Sequence, residues 1–464
     1  MKRYKSRKKP QPQSAKSTPA LPSDPVEIEI ESLSHDGLGV GRFEGKVTFV
    51  SNALPGERVL ARFSEAKSKF NAAHAIEILS PSPDRIEPSC PHYAECGGCD
   101  LQHLSAERQL ELKQIQVLDQ LQRIGQTTPT KVLAPLRSAS THYRRSARIG
   151  VNQLADGEPI VGFRRKQSNL LCQIDNCEVL DQRLENIFSV VRDTLQDAGD
   201  IKMITHLEID LGDSGGFLTI RHVKNINAEL RQKLQKVADQ YQLTLNFAGN
   251  DASQSEQPSA QVCYQLSDEK LWFRSGDFIQ VNAGINQQMI DQAISLLAPQ
   301  NDDQILDLFC GLGNFSLPLA RSGAQITGIE GNISMVHQAA FNAEQNQLNN
   351  CEFHCANLAE SLAGVHWYRK GYNKILLDPP RAGAATIIPQ LTALKPEKIL
   401  YISCNPGALA RDSQLLQEQG YSLEQFLVMD MFPQTHHIES MALFVKGKKP
   451  AKKQKLFAGK GHRG

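Results

Sequence analysis

A cysteine at a strand end and a glutamate before the last strand are the residues of this sequence best suited to covalent chemistry. Cys404 lies in LYISCNPGALARD (residues 400–412), between an apolar run and Asn-Pro, and Glu439 lies in HHIESM. Methylating a pyrimidine at C5 requires a thiolate that adds to C6, which makes C5 nucleophilic, and a base that then removes the C5 proton. Cys404 and Glu439 supply this minimum equipment, whereas a cysteine alone at a strand end would favour a packing role.

A glycine loop upstream indicates the second reactant. Gly311 and Gly313 in DLFCGLGNF (307–315) follow a predicted strand directly, where glycines let the backbone approach a ligand, and Ser316 stands in place of the third glycine of the dinucleotide fingerprint. Glu330 ends the next strand, from which a carboxylate can accept hydrogen bonds from ribose hydroxyls. The combination suits S-adenosylmethionine, which has a ribose and no phosphate; NAD binding and purely structural glycines remain the alternatives.

A third strand end carries Asp378, in LLDPPRAG. A related Asp-Pro-Pro-aromatic motif of amino-methyltransferases holds an exocyclic amine and stacks its base. Because Arg381 stands where that motif has its aromatic residue, the sequence disfavours methylation of an amine.

Three closely spaced cysteines predict a metal or cluster site. Cys90, Cys96 and Cys99 form C-x5-C-x2-C, which with a distant fourth cysteine could ligate zinc or an iron–sulfur cluster. Radical enzymes that cleave S-adenosylmethionine have the spacing C-x3-C-x2-C, so the spacing found here argues against an enzyme of that class. The residue types alone do not decide between zinc and iron.

The elements that must position these residues change character along the chain. Residues 25–80 alternate in short β-type runs, which predicts a small barrel of the OB kind, a common RNA-binding platform. An amphipathic helix is predicted over 106–124, and 140–280 mixes strands with helices. From about residue 285 the pattern becomes regular βα, which predicts a doubly wound, Rossmann-like α/β domain.

The charge is concentrated at the two ends. Residues 1–20 and 446–464 hold 15 of the 51 Lys and Arg and no acid, so the body has 36 basic against 50 acidic residues, a net charge of −14. We expect both ends to be disordered, as solubilising tails or as arms for a polyanion such as RNA. No run approaches the roughly 18 apolar residues of a membrane span and no secretory signal is present, so we expect a cytoplasmic protein with reduced, metal-bound or catalytic cysteines.

The C-terminal motifs together resemble one family. DLFCGLGNFSLPLA, LLDPPRAG, SCNPGALARD and DMFPQTHHIESM are similar to the motifs of the RNA uracil-5-methyltransferases, a likeness that spans essentially 280–445. The resemblance implies a class I methyltransferase domain in which Cys404 attacks C6 of the uracil and Glu439 takes the C5 proton. It implies contacts with S-adenosylmethionine from Gln280, Phe309, Asn314, Glu330, Asn357 and Asp378.

One branch of that family has an N-terminal TRAM barrel and a 4Fe-4S cluster, and this chain resembles it in both features. The resemblance implies Cys90, Cys96, Cys99 and Cys177 as cluster ligands, with Cys172 as the competitor for the fourth place. It implies as substrate one uridine of 23S rRNA, and we expect that RNA to be free or in a large-subunit precursor. We expect the protein to be a monomer. A transfer-RNA uracil methyltransferase and a non-catalytic RNA-binding assembly factor remain the alternatives.

The basic runs 142–150 and 163–166 are interpreted as RNA-backbone contacts or as solvated strand faces. The predicted organisation is a basic tail, a TRAM barrel, a central α+β iron–sulfur domain, a methyltransferase domain and a second basic tail, at 1–22, 23–80, 81–275, 276–446 and 447–464. The helix at 106–124 is expected to pack on the methyltransferase domain.

Overall fold

The computed structural model describes residues 21–196, 198–199, 201–249 and 261–447. The basic tails predicted to be disordered are 1–22 and 447–464, and of these the residues 1–20 and 448–464 lie outside the described residues. The chain divides into two compact units, Met1–Ile86 and Glu87–Gly464. Within the described residues, no helix is both long and apolar enough to cross a membrane.

The first unit contains a closed barrel with strand order β1-β2-β3-β5-β4. Alternate apolar residues point inward, among them Ile28, Ile30 and Val59, so the predicted OB-like barrel is confirmed. Gly41 has no room for a side chain, since a Cβ would lie 2.3 Å from the carbonyl oxygen of Glu29. The strands are β1 (Val26–Leu33), β2 (Gly39–Phe43), β3 (Lys46–Ser51), β4 (Arg58–Ala66) and β5 (Phe70–Ser80).

In the second unit, a mixed sheet with order β12-β11-β10-β7-β8-β9 has its own apolar core, covered by α2 (Ile187–Leu195) and α3 (Ala228–Gln240). A short 3-10 turn (Gln182–Leu184) and α2 do not form one continuous helix, because Asn186 between them takes a left-handed φ of 61°. The strands are β7 (Ser146–Gln153), β8 (Pro159–Arg164), β9 (Leu171–Gln173), β10 (Ile204–Leu211), β11 (Gly216–His222) and β12 (Leu243–Gly249).

The second sheet of this unit is the doubly wound one and has order β17-β16-β15-β18-β19-β21-β20-β6. Strands β15 to β19 are parallel, and β21 runs antiparallel between β19 and β20. Its strands are β15 (Gln304–Leu308), β16 (Gln325–Glu330), β17 (Cys351–Cys355), β18 (Lys374–Leu377), β19 (Lys398–Ser403), β20 (Tyr421–Met429), β21 (Glu439–Lys446) and β6 (Lys131–Val132). The predicted doubly wound, Rossmann-like α/β domain is confirmed.

Helices cover both faces of this sheet, and a hairpin, β13 (Val262–Leu266) and β14 (Glu269–Phe273), packs into its core. Helix α1 (Ala106–Arg123) precedes the mixed sheet in sequence, yet it packs on α8 and buries Leu110, Val117 and Leu121 in the core of the doubly wound sheet. The other helices are α4 (Ala283–Leu297), α5 (Ser316–Ala320), α6 (Ile333–Gln345), α7 (Ile388–Ala393) and α8 (Pro406–Glu418).

Candidate active site

The predicted catalytic residues and several predicted cofactor residues lie at one edge of the doubly wound sheet. Glu330 ends β16, and Phe309, Asp378 and Cys404 each directly follow a parallel strand. Because β21 is antiparallel to β19, its first residue, Glu439, lies at this same edge. The carboxyl edge of the parallel strands is where α/β proteins of this kind bind their ligands.

Strand register brings Cys404 and Glu439 together. Ser403, the last residue of β19, is paired with Ser440 of β21, and the Ser440 hydroxyl donates to the Ser403 carbonyl at 3.3 Å. Cys404 and Glu439 each lie one position beyond this pair, on adjacent strands. Side chains so placed are direct neighbours across an antiparallel pair, so both can reach one small ligand.

The Asn-Pro that follows the cysteine turns the chain from strand to helix. The Asn405 side chain accepts hydrogen bonds from the N–H groups of Gly407 and Ala408 at 3.0 and 3.3 Å, and Pro406 occupies the first helical position. The Asn405 amide also donates to the Arg381 carbonyl at 2.9 Å. The cap therefore fixes both the strand end that carries the cysteine and the neighbouring loop.

Burial and nearby charges raise the proton affinity of the predicted catalytic pair, Cys404 and Glu439. Burial raises the pKa of Cys404 to about 11, and the negative charges of Glu439 and Asp378 add to the increase. Burial also raises the pKa of Glu439 well above its usual range, with a further contribution from Asp378. Arg381 acts in the opposite direction and lowers both pKa values. A carboxylate with such a raised pKa is a strong base.

Burial raises the pKa of Asp378 itself to about 7. The pKa of Asp307 on β15 is also raised to about 7, first by burial and then by the charges of Asp378 and Glu330, although the Ser316 hydroxyl donates to its carboxylate at 2.5 Å. Several carboxyl groups thus share a poorly solvated site. Such clustering of shifted pKa values is typical of functional sites.

The glycine loop has a backbone that its sequence requires. Gly311 and Gly313 have φ values of 55° and 90°, and a Cβ on Gly313 would lie 2.4 Å from Leu317 Cδ1. Phe309 also has a left-handed φ, 63°, which is uncommon for a residue with a side chain and is often found at binding sites. The Glu330 carboxylate accepts from the Gly311 N–H at 3.3 Å, so the loop and the acidic strand end form one unit.

Asn314 and Gln280, two further predicted cofactor residues, are held by side chains that the sequence did not identify. Asn314 exchanges two amide hydrogen bonds with Asn286 at 2.9 and 3.0 Å and accepts one from the Tyr264 hydroxyl at 3.2 Å. Arg145 donates through Nε to the Gln280 carbonyl at 2.7 Å, and its guanidinium lies 4.1 Å from the centre of the Tyr264 ring.

Arg145 belongs to the basic run 142–150, and for this residue the interpretation as a backbone contact or solvated face is wrong. Arg145 is only 4% exposed, because its guanidinium packs on the Tyr264 ring and donates to the Gln280 carbonyl. Arg148 in the same run is exposed and pairs with Glu208 at 2.7 Å. No sequence signal separated the two arginines.

Asn357 lies two residues after β17, at the same edge of the sheet as the other predicted cofactor residues. It is exposed, and its amide donates to the Glu360 carboxylate at 2.8 Å. Its side chain therefore faces solvent and is accessible to a ligand.

The four predicted cluster ligands lie close enough to influence one another. Burial raises the pKa of Cys99 to about 12, and the charges of Cys177, Cys96 and Cys90 add to the increase. Burial likewise raises the pKa of Cys177, and Cys96 and Cys90 again contribute. Cys172 lies on β9, and burial raises its pKa to about 11, with a further contribution from the charge of Cys96.

Among the described residues, no group of three or more His, Cys, Asp or Glu side chains is arranged to hold a single metal ion. In an iron–sulfur cluster each thiolate binds a different iron, so its ligands are spaced more widely than around one ion. A donor set made of sulfur alone can ligate either zinc or an iron–sulfur cluster.

A doubly wound sheet with a glycine loop and an acidic strand end at its carboxyl edge is the arrangement expected of an α/β methyltransferase. A family model described as tRNA (Uracil-5-)-methyltransferase matches residues 105–447, and a TRAM domain model matches residues 24–76. The chain therefore belongs to the tRNA (uracil-5-)-methyltransferase family and carries an N-terminal TRAM domain, and the predicted family membership is confirmed.

Similar proteins are alike over nearly the whole chain. The 23S rRNA (uracil(1939)-C(5))-methyltransferase RlmD of Vibrio parahaemolyticus is 42% identical over 90% of this chain and 95% of its own length. The protein of the same name from Pseudomonas putida is 41% identical over 94% of this chain and 97% of its own. The crystal structure of Pyrococcus abyssi tRNA (uracil-54, C5)-methyltransferase with S-adenosyl-L-homocysteine matches with a TM-score of 0.70, at 22% identity, over 90% of this chain and 100% of that one. This last likeness supports the fold.

Proposed function

We propose that this protein uses S-adenosylmethionine to methylate C5 of one uridine of 23S rRNA, through a covalent adduct with Cys404. The observation that carries the proposal is the strand register that sets Cys404 beside Glu439. Both lie at the carboxyl edge of the parallel strands, where the glycine loop follows β15. Relatives more than 40% identical over about nine-tenths of the chain are named as 23S rRNA uracil-C5 methyltransferases, which supports the substrate.

The reaction assigns one step to each member of the pair. The Cys404 sulfur bonds to C6 of the uracil, and the electron pair of the C5–C6 double bond makes C5 nucleophilic. Bound S-adenosylmethionine would supply an electrophilic methyl group to C5, with its sulfonium sulfur leaving as the thioether of S-adenosylhomocysteine. Glu439 then removes the C5 proton, the double bond re-forms, and the thiolate leaves from C6. The positive charge of Arg381 favours the thiolate before attack and the carboxylate before proton removal.

The cofactor is held at the strand ends. Glu330 suits the ribose hydroxyls, since the Gly311 and Asn332 N–H groups at 3.3 and 3.0 Å orient its carboxylate. The glycines of the loop allow close approach of the backbone. The proposed contacts are those of Gln280, Phe309, Asn314, Glu330, Asn357 and Asp378.

We propose a 4Fe-4S cluster with a structural role on Cys90, Cys96, Cys99 and Cys177. Cys177 is preferred to Cys172 because it is electrostatically coupled to Cys90, Cys96 and Cys99. Anaerobic purification of Cys177→Ser and Cys172→Ser tests this assignment. Iron content and the brown absorption should be lost in the first variant and retained in the second; the reverse result would assign Cys172.

Transfer RNA is the alternative substrate, because the family and the solved structure are described by it. The TRAM barrel and the cysteine set favour ribosomal RNA. A cytoplasmic monomer acting on free 23S rRNA or on a large-subunit precursor is part of the proposal.

The decisive experiment uses the anaerobically purified full chain, S-adenosylmethionine and RNA that contains 5-fluorouridine. Fluorine at C5 cannot leave as a proton, so the adduct should be trapped as a covalent protein–RNA band. The band should form with 23S rRNA, disappear in Cys404→Ala and map to the peptide containing Cys404. A band with transfer RNA alone would change the substrate, and no band with either RNA would favour a binding factor.

A further inference from the structure

The segment that leads into the proposed base is held by residues from a distant part of the chain. This segment, residues 430–438, joins the end of β20 at Met429 to Glu439. Its polar partners include Asp100 and Gln109, which precede their contacts by 336 and 325 positions. Asp100 directly follows Cys99, so the partner region is the loop that bears the cysteines.

Asp100 contacts the segment through both its backbone and its side chain. The N–H groups of Asp100 and Leu101 donate to the Gln434 carbonyl, each at 3.0 Å. The Asp100 carboxylate accepts from the His436 N–H at 2.8 Å and also bonds to His436 Nδ1. His436 is three residues before Glu439, and Ile438 between them is buried, so this stretch has little freedom.

Gln109 on α1 reinforces the same point. It accepts from the Gln434 N–H at 3.0 Å and donates to the Gln434 side-chain oxygen at 2.9 Å. Gln434 has a φ of 67°, in the left-handed region. A residue with a side chain keeps such a backbone only when its surroundings impose it, and here the bonds from Asp100, Leu101 and Gln109 do so.

The start of the segment is fixed as well. The buried Lys113 ammonium contacts the Asp430 carboxylate at 2.9 Å and the Phe432 carbonyl at 3.1 Å. The Tyr143 hydroxyl donates to the Pro433 carbonyl at 3.0 Å. The segment is thus held at Asp430 and at its middle, and Asp100 supplies the side-chain contact with His436, three residues before Glu439.

We propose that Asp100 is a positioning residue for the second half of the methylation. By holding the 430–438 segment, it directs the Glu439 carboxylate toward C5 of the adduct and so couples the cysteine loop to proton removal. The inference rests on the proposed function, since Glu439 acts only after Cys404 has formed its bond. Disturbing Asp100 should therefore slow adduct release and leave adduct formation unchanged.

The test compares Asp100→Ala with Asp175→Ala. Asp175 is also near a cysteine, two positions before Cys177, but it pairs with Arg192 at 2.8 Å, so it serves as the matched control. With uridine-containing RNA, Asp100→Ala should lower kcat about 10- to 100-fold, leave the KM for RNA unchanged and accumulate covalent, methylated protein–RNA. Asp175→Ala should behave as the unmodified protein. Asp100→Asn retains an acceptor for the His436 N–H and should restore part of kcat.

Iron content and melting temperature, measured on every variant, separate positioning from loss of structure. An unchanged kcat in Asp100→Ala would overturn the inference. So would a loss of adduct formation with 5-fluorouridine RNA as large as the loss of kcat, because the first half of the reaction would then be impaired too. If Asp100→Ala does not fold, Asp100→Asn decides, through accumulation or non-accumulation of the uridine adduct. If the unmodified protein forms no adduct with 5-fluorouridine RNA, the proposed function is refuted instead.

Discussion

The nucleophile and the base of the proposed pair lie on adjacent strands, yet different parts of the chain hold them. Cys404 is placed by its own strand–turn–helix unit, in which Asn405 caps α8. Glu439 begins an antiparallel strand, and the segment before it is bonded to Asp100 and Gln109. A local motif therefore suffices for the nucleophile, whereas the base depends on a contact across most of the sequence.

The two residues act in different halves of the proposed reaction, Cys404 in adduct formation and Glu439 in proton removal. Changes near the cysteine loop should act on proton removal, and changes in the β19–α8 turn should act on adduct formation. Variants ordered by the size of their expected effect test this separation.

Removal of the nucleophile should have the largest effect. Cys404→Ala should lower methylation by at least about 10³-fold, because it removes the thiol that the β19–β21 register sets beside Glu439. Binding of S-adenosylmethionine, measured by calorimetry, should be retained, since the glycine loop is intact. Cys263→Ser, on the hairpin β13–β14, is the matched control and should methylate normally; residual turnover in Cys404→Ala would place the nucleophile elsewhere.

Loss of the base should come next. Glu439→Gln should reduce turnover by about 10²- to 10⁴-fold and accumulate a covalent adduct with ordinary uridine RNA, because the thiolate cannot leave while the C5 proton remains. Denaturing electrophoresis measures the adduct. Normal turnover, or a loss of adduct formation equal to that of Cys404→Ala, would remove Glu439 from the release step.

The same contrast explains what the sequence could predict. Cys404, Glu330 and the glycine pair lie at the ends of short strand–loop–helix units, where periodicity and turn residues are local signals. The barrel and the order of the βα units follow from the same kind of pattern. These predictions needed no knowledge of which distant residues meet.

The rest depends on tertiary packing. Arg145 and Arg148 are three residues apart in one basic run, yet the first is buried over Tyr264 and the second is exposed. The bonds of Gln434 to Asp100 and Gln109 join segments that no local pattern relates. Residues that support a site through such contacts are visible only once the chain is folded.

A substitution in the glycine loop, which belongs to one local strand–loop–helix unit, should have a moderate effect. Gly313→Ala forces a residue with a Cβ into a φ of 90° and against Leu317, which should lower the free energy of unfolding by about 1–3 kcal/mol. Affinity for S-adenosylmethionine should fall with it, because the loop must shift. Denaturant unfolding and calorimetry measure the two effects. Gly364→Ala, where a Cβ meets no atom within 4 Å, is the control; equal stability of both variants would contradict the strained loop.

Arg381 influences both sides of the pair, so its removal should have the smallest effect and the one most dependent on pH. Both Cys404 and Glu439 must lose a proton to react, and Arg381 lowers both pKa values. Arg381→Gln should therefore raise them, so that kcat/KM, which rises with pH while the reactive forms are the minority, reaches the same value only at higher pH. A shift of one pKa unit corresponds to about a tenfold loss at neutral pH. The profile between about pH 6 and pH 10 measures the shift, with the exposed Arg369→Gln as control. A loss of kcat/KM that is the same at every pH would show that Arg381 acts by contact with the substrate and not through the effect of its charge on Cys404 and Glu439.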